Sequence, residues 1–230
     1  MVRAVEKSGQ TADNGLMPTL RGRRAALVTV VALAAIAGCS TPSYRYVNNT
    51  SKQTFFRVPR AWAVYDIGKS TTTDRPGTTS TSTQPWVKVI DGDPNPAVSH
   101  ADLDYPASPI VRAEITSVTG TTFHDQISIS NLRALATNFK IDPVDAVNTG
   151  DTTVEIVSYA ELATKTGVHG VHLVFNWKKD GTHWVTIDHT AMLDAKANTL
   201  FLLEIRCVAA CFKLQRDTIS AISSSWQVRA

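Results

Sequence analysis

"VHGVHLVFNWKKDGTHWVTIDHTAML", Val168–Leu193, decides the architecture. Its two runs are dense in Val, Ile, Thr, Phe and Trp, residues that fit the pleated, half-buried surface of a strand. Between them Asp180-Gly181 carries a hairpin signal, because a tight primed turn needs residues that tolerate positive φ. "TTVEIVSYAEL", Thr152–Leu162, precedes this hairpin and "NTLFLLEIRC", Asn198–Cys207, follows it, with Gly, Asp and Asn at the joins. Four such runs in succession, linked by short turns, read as an antiparallel meander.

Further strands lie upstream. "TFFRVPRAW", Thr54–Trp62, alternates and then meets Pro59, which suits an edge strand ending in a turn. "WVKVI", Trp86–Ile90, and "PIVRAEI", Pro109–Ile115, add two more. "SNLRALATNFK", Ser130–Lys140, has Ser130 as candidate N-cap and Leu132, Leu135 and Phe139 at helical spacing. "FKLQRDTISAISSSW", Phe212–Trp226, brings Phe212, Ile219, Ile222 and Trp226 near one helical face that should pack on the sheet. The closing "WQVR" reads as a short returning strand. Consecutive antiparallel strands with two amphipathic helices give an α+β class, an antiparallel sheet covered by helices. "GKSTTTDRPGTTSTSTQP", Gly68–Pro85, has too little apolar surface to bury and reads as a solvated surface loop.

The N-terminal segment carries a different message. Arg21, Arg23 and Arg24 precede an uncharged apolar run, Ala25–Ala37. Such a run falls within the roughly 7–15 residues of an export signal and short of the roughly 20 that span a bilayer. Met17 heads "MPTLRGRRAAL", an ordinary signal start, so translation is expected to begin there rather than at Met1. Ile36-Ala37-Gly38-Cys39 resembles the lipobox of bacterial lipoproteins. The resemblance implies cleavage between Gly38 and Cys39 and diacylglycerol on the Cys39 thiol, which anchors the mature chain to the outer face of the cell membrane. An uncleaved anchor or a plain secretory signal is the alternative. The expected organisation is a signal peptide over 1–38, a polar tether over 39–53 and a single domain over 54–230.

Of 23 basic and 20 acidic residues, five and two lie in residues 1–38, so the mature chain has 18 of each and no net charge. No polybasic stripe is left to neutralise phosphates, which argues against nucleic-acid partners. With Cys39 lipidated, Cys207 and Cys211 of "CVAAC" remain as an even pair in an oxidising compartment. A structural disulfide is the reading preferred over a redox or copper site, because no thioredoxin-like context surrounds the pair.

Chemistry-bearing motifs are sparse. If Asp180 and Gly181 alone make the turn, His172 falls opposite His189 and the two imidazoles can share a metal. A three-residue loop, Lys179–Gly181, instead sends them to opposite faces. No spacing fixes a third ligand, so no metal site and no cofactor are assigned. "DGDPNP", Asp91–Pro96, lacks the acidic pattern and terminal Glu of a calcium loop and reads as a rigid turn. No Gly-x-Ser-x-Gly elbow, phosphate-cradling loop or His-Glu-x-x-His is found, which lowers the case for an enzyme.

"FFRVPRAWAVY" resembles the opening strand, Pro and Trp of the PsbP-like fold, and "DTISAISSSWQV" its closing helix and final strand. Between them "DHTAMLDAKANTLFLLEIRC" is similar to its paired late strands. With the lipobox, the comparison narrows to actinobacterial lipoproteins of the LpqN kind. The resemblance implies an α/β/α sandwich and a non-catalytic binding or assembly role at the cell envelope, with the membrane and an envelope complex as partners. Two alternatives are carried: a lipid or glycolipid carrier with an apolar pocket, motivated by the aromatics of Val171–Trp177 and Trp184–Thr190, and a metal-binding or hydrolytic enzyme using the hairpin histidines.

Overall fold

Strand β8 (Val185–Leu193) is buried at every position, a pattern that requires cover on both faces of the sheet. The computed structural model describes residues 43–68, 84–125, 127–137 and 142–229, and Thr41–Ala230 forms one compact unit. In chain order its elements are β1 (Tyr44–Asn49), β2 (Thr54–Pro59), β3 (Ala63–Asp66), β4 (Trp86–Asp91), β5 (Ile110–Ser117), α1 (Thr122–Asp125), α2 (Ile129–Ala134), α3 (Pro143–Asn148), β6 (Val154–Ala163), β7 (His169–Trp177), β8, β9 (Thr199–Val208), α4 (Ala209–Leu214), α5 (Arg216–Ser223) and β10 (Gln227–Val228). Two single 3-10 turns, Val98–Asp102 and Leu135–Thr137, complete the order.

Seven strands form one sheet in the order β3-β4-β5-β9-β8-β7-β6, and β1-β2-β10 form a second. Every pairing is antiparallel. The meander β6–β9 therefore stands as its sequence implies. β9 then docks on β5, so a late segment completes the middle of the sheet.

Period-two alternation sorts the side chains of the large sheet into two faces. On one face Leu173, Phe175, Val185 and Ile187 pack beneath Ala136 and Ala146, which belong to the 3-10 turn after α2 and to α3. On the other, Met192, Phe201, Leu203 and Ile205 meet Phe56 and Val58 of β2 and Ile219 and Ile222 of α5. Each fully buried Leu, Ile, Val or Phe among them contributes about 1.5–3 kcal/mol by leaving water. Gly170 is required where β7 crosses close to β8, since a Cβ there would stand 2.0 Å from the Ala191 carbonyl oxygen.

Four features differ from the sequence reading. Residues 44–49, assigned to the polar tether, form β1 and pair along their whole length with β2; Val47 is their one buried side chain, too weak an apolar pattern to announce a strand. The layer opposite α2 and α3 is consequently a three-stranded sheet with α4 and α5, not helices alone. α2 is capped by Ser128, whose hydroxyl accepts from the Asn131 N–H at 3.1 Å, while Ser130 donates to Asp142 at 2.7 Å. The β7–β8 turn spans 178–184, with Trp177 facing Val185, and Gly181 adopts φ +74° within it. Residues 1–42, most of the Thr-rich stretch and Phe139 lie outside the described residues. Among the described residues no helix is long and apolar enough to cross a membrane.

Candidate functional site

The two faces of the large sheet each open into a depression. The first, a cavity of about 390 Å³, lies on the α2 side. Its floor is a cross-strand row: Arg112 of β5 stands opposite Glu204 of β9, which stands opposite His189 of β8. Glu114 and Arg206, next on the same faces of β5 and β9, complete it. Arg112 donates to Glu114 at 2.8 Å and Arg206 to Glu204 at 3.0 Å. The second Arg206 amino group reaches the Ala101 carbonyl, tying the 3-10 turn of residues 98–102 over the cavity mouth. Burial raises the Glu204 carboxyl above its ordinary value against the pull of Arg206.

His189 is 1% exposed. Its Nε2 donates to the Leu132 carbonyl of α2 at 3.0 Å, which leaves Nδ1 as the bare acceptor nitrogen of a neutral ring. Burial pushes this imidazole down to about 4. Nδ1 of His189 and Nε of Arg206 are buried without a hydrogen-bond partner among the described residues.

The second depression, of about 580 Å³, is an apolar groove between β6–β8 and α5. Leu162, Val174, Met192, Phe212, Ile219 and Trp226 supply its walls, and Trp226 stacks edge-on against Phe56 with ring centres 5.4 Å apart. One polar row crosses it. His172 Nε2 meets Asp188 Oδ1 at 3.0 Å, and the Ser223 hydroxyl donates to Asp188 Oδ2 at 2.7 Å. Asp188 raises the His172 imidazole above its ordinary value.

These contacts decide what the row can do. In a hydrolase triad the imidazole stands between hydroxyl and carboxylate and removes the hydroxyl proton. Here the carboxylate stands in the middle and the imidazole does not touch Ser223, so the hydroxyl is a donor to a fixed anion rather than a nucleophile. The row ties α5 to the sheet.

The predicted site residues are distributed as follows. Cys207 and Cys211 are bridged, with α-carbons 6.0 Å apart, joining the end of β9 to α4. His172 faces Thr190 and His189 faces Leu173, so the two histidines project from opposite faces of the sheet and cannot hold one metal between them. The longer turn, with its odd number of residues, sets that register. Among the described residues no cluster of three metal-ligating side chains occurs. Asp91 is spent on the Asp93 and Ala97 N–H groups and on His100, each bond 2.8–2.9 Å, and Asp93 on Asn95 and Ser108. Phe175 is core and Trp177 lines the charged cavity, so the groove takes its aromatics from Phe212 and Trp226 instead. Gly38 and Cys39 lie outside the described residues. The charged floor escaped sequence reading, although Glu204 and Arg206 occupy alternate positions of an otherwise apolar strand and so had to share one face.

No known protein family and no curated protein matches the chain. Solved structures do. The chain is similar to cyanobacterial PsbP (CyanoP) from Synechocystis sp. PCC 6803, 13% identical over 85% of this chain and 98% of that one, with a TM-score of 0.40. LpqN, involved in cell envelope biogenesis of Mycobacterium tuberculosis, is 14% identical over 80% of this chain and 91% of its own, with a TM-score of 0.39. The Saccharomyces cerevisiae Ran-binding protein Mog1p is 12% identical over 80% and 95%, with a TM-score of 0.40. At such identities and scores the likeness is one of chain path, and no activity or partner passes from these proteins to this chain.

Proposed function

We propose that the chain is a lipid-anchored extracytoplasmic protein that binds an envelope component or assists assembly of a membrane complex, without catalysing a reaction. The observation that carries this reading is the Cys207–Cys211 bridge. It accounts for two of the three cysteines and leaves Cys39 alone at a signal-peptidase junction. A bridge in a chain of this size fits an oxidising compartment, and a diacylated thiol with a further acyl chain holds a protein to a bilayer where one chain does not. Detergent-phase partitioning of the wild type and Cys39→Ala tests the anchor. The wild type is expected in the detergent phase and the variant in the aqueous phase; equal partitioning into water overturns the reading.

The apolar groove favours a second reading, a carrier of a lipid or glycolipid tail. Leu162, Val174, Met192, Phe212, Ile219 and Trp226 give it apolar walls suited to an acyl chain, and the His172–Asp188–Ser223 row with Arg216 offers polar groups to a head. Native mass spectrometry of protein from its own host is expected to show a lipid adduct that Met192→Trp removes. A ligand-free mass in both eliminates it. The enzymatic alternative has lost its shared metal position and finds no activated hydroxyl in the Ser223–Asp188–His172 row.

A further inference from the structure

The small sheet has an inner and an outer face. Thr54, Phe56 and Val58 of β2 and Val47 of β1 turn inward and are buried. Alternation sends Tyr44, Tyr46 and Asn48 of β1 and Phe55 and Arg57 of β2 outward, and Gln227, which faces Phe55, joins them. Aromatic rings and guanidinium groups interleave on that outer face. Arg57 lies 4.9 Å over the Tyr44 ring, Arg229 lies 5.1 Å over Phe55, and Tyr46 meets Phe55 edge-on at 6.2 Å. Tyr46 is 68% exposed.

The charge is one-sided. Residues 43–60 and 226–229, which hold the whole sheet and its turn, contain Arg45, Lys52, Arg57, Arg60 and Arg229 and no Asp or Glu. None of the five forms an ion pair with an acidic side chain among the described residues. Arg45 shares the inward register of Val47 and donates to the Trp62 carbonyl, so the positive patch consists of Arg57 and Arg229 on the outer face with the exposed Lys52 and Arg60 beside it.

We infer that this outer face is a membrane-docking surface that lies on anionic lipid headgroups. Its placement next to a membrane rests on the lipid-anchored reading above, whereas the chemistry of the face does not. Four residues separate Cys39 from Tyr44, and over five steps of roughly 3.3–3.6 Å no conformation can hold Tyr44, the start of β1, further than about 18 Å from the anchored residue. The first element after the anchor, β1, is therefore part of the sheet whose outer face carries Arg57 and Arg229. Tyrosines settle at the headgroup level with their hydroxyls in water, and each basic side chain near an anionic surface adds attraction that salt screens. The arginines already stacked on rings keep their charge while shedding part of their water, which suits a headgroup phosphate.

The test uses the unlipidated chain from residue 40 to 230, which contains the whole compact unit, and sedimentable vesicles of phosphatidylglycerol and phosphatidylcholine. The protein is expected to sediment with these vesicles at low salt, to release at high salt and to ignore pure phosphatidylcholine. Arg57→Gln and Arg229→Gln should each weaken binding about fivefold, and Tyr46→Ser, whose side chain is exposed, should weaken it without changing the melting temperature. Lys165→Gln removes the same charge from an exposed turn elsewhere and should leave binding intact. Failure to sediment, as expected if the face instead serves a protein partner, overturns the inference, and so does an equal loss in Lys165→Gln. Because no acyl chain is present, either result stands apart from the detergent-partitioning result for Cys39.

Discussion

His189 and His172 occupy neighbouring registers of one hairpin and respond to acid in opposite ways. His189 is held neutral by burial at about 4, against about 6.5 in an unfolded chain. Between those values the unfolded state binds a proton that the folded state refuses, so stability falls as pH drops through this window. The difference corresponds to about 3 kcal/mol at full effect. His172 is raised by the Asp188 carboxylate it bonds. Its contribution is complete below about 6.5 and is lost as pH rises through its folded value. Chemical denaturation from pH 4 to 8 should show a steep loss toward acid in the wild type. In His189→Gln, which can still donate to the Leu132 carbonyl, that slope should flatten, and in His172→Gln the loss of stability should be larger at pH 6 than at pH 8. The sequence displayed both histidines but not their faces, because a hairpin's register depends on the loop count and Asp180-Gly181 turned out to sit inside a longer turn.

At the scale of elements, Asp142 joins two helices that are each too short to persist alone. Its carboxylate accepts the Val144 N–H at 2.9 Å as the N-cap of α3, the Ser130 hydroxyl at 2.7 Å, and the Arg133 guanidinium of α2 at 2.6–3.0 Å. Partial burial opposes ionisation, but Arg133, Ser130 and the N–H outweigh it and hold the carboxyl below its ordinary value. That contribution is present above about pH 4 and fades as pH falls through the folded value. Asp142→Asn should lower stability at neutral pH by about 1–3 kcal/mol, and in urea titrations the gap from the wild type should narrow as pH falls below about 4. α2 and α3 were only half legible. The spacing of Leu132 and Leu135 announced a helix, but its cap needed the extended backbone of Ser128, and Ser130 was drawn away by a partner twelve residues on. β1 was illegible for a related reason: its ladder to β2 supplies what one buried valine cannot.

Across the whole molecule, α+β layering was written in the meander, since four strands of period two leave only antiparallel arrangements with short turns. The second sheet was not, because it assembles from segments at opposite ends of the chain. The disulfide was foreseeable from cysteine number, and its value is limited by its span. A ring closed over so few residues removes little freedom from the unfolded chain, so Cys207→Ser with Cys211→Ser should cost about 2 kcal/mol. Thermal melting of the double variant measures this, and a loss twice as large would assign the bridge a packing role at the β9–α4 junction. The charged cavity remained hidden because its members come from three strands and only the β5–β9 pairing brings them into one row.

That same pairing governs when the chain can fold. β5 waits for β9, and β2 waits for β10, so the large sheet cannot close before β9 (Thr199–Val208) is delivered, nor the small one before β10 (Gln227–Val228). Contacts this distant along the sequence are slow to form. The meander β6–β9 can pair among its own neighbours, while β5 keeps an open edge until β9 arrives. The topology thus makes closure of both sheets a late event, and the order of strands acts as a clock.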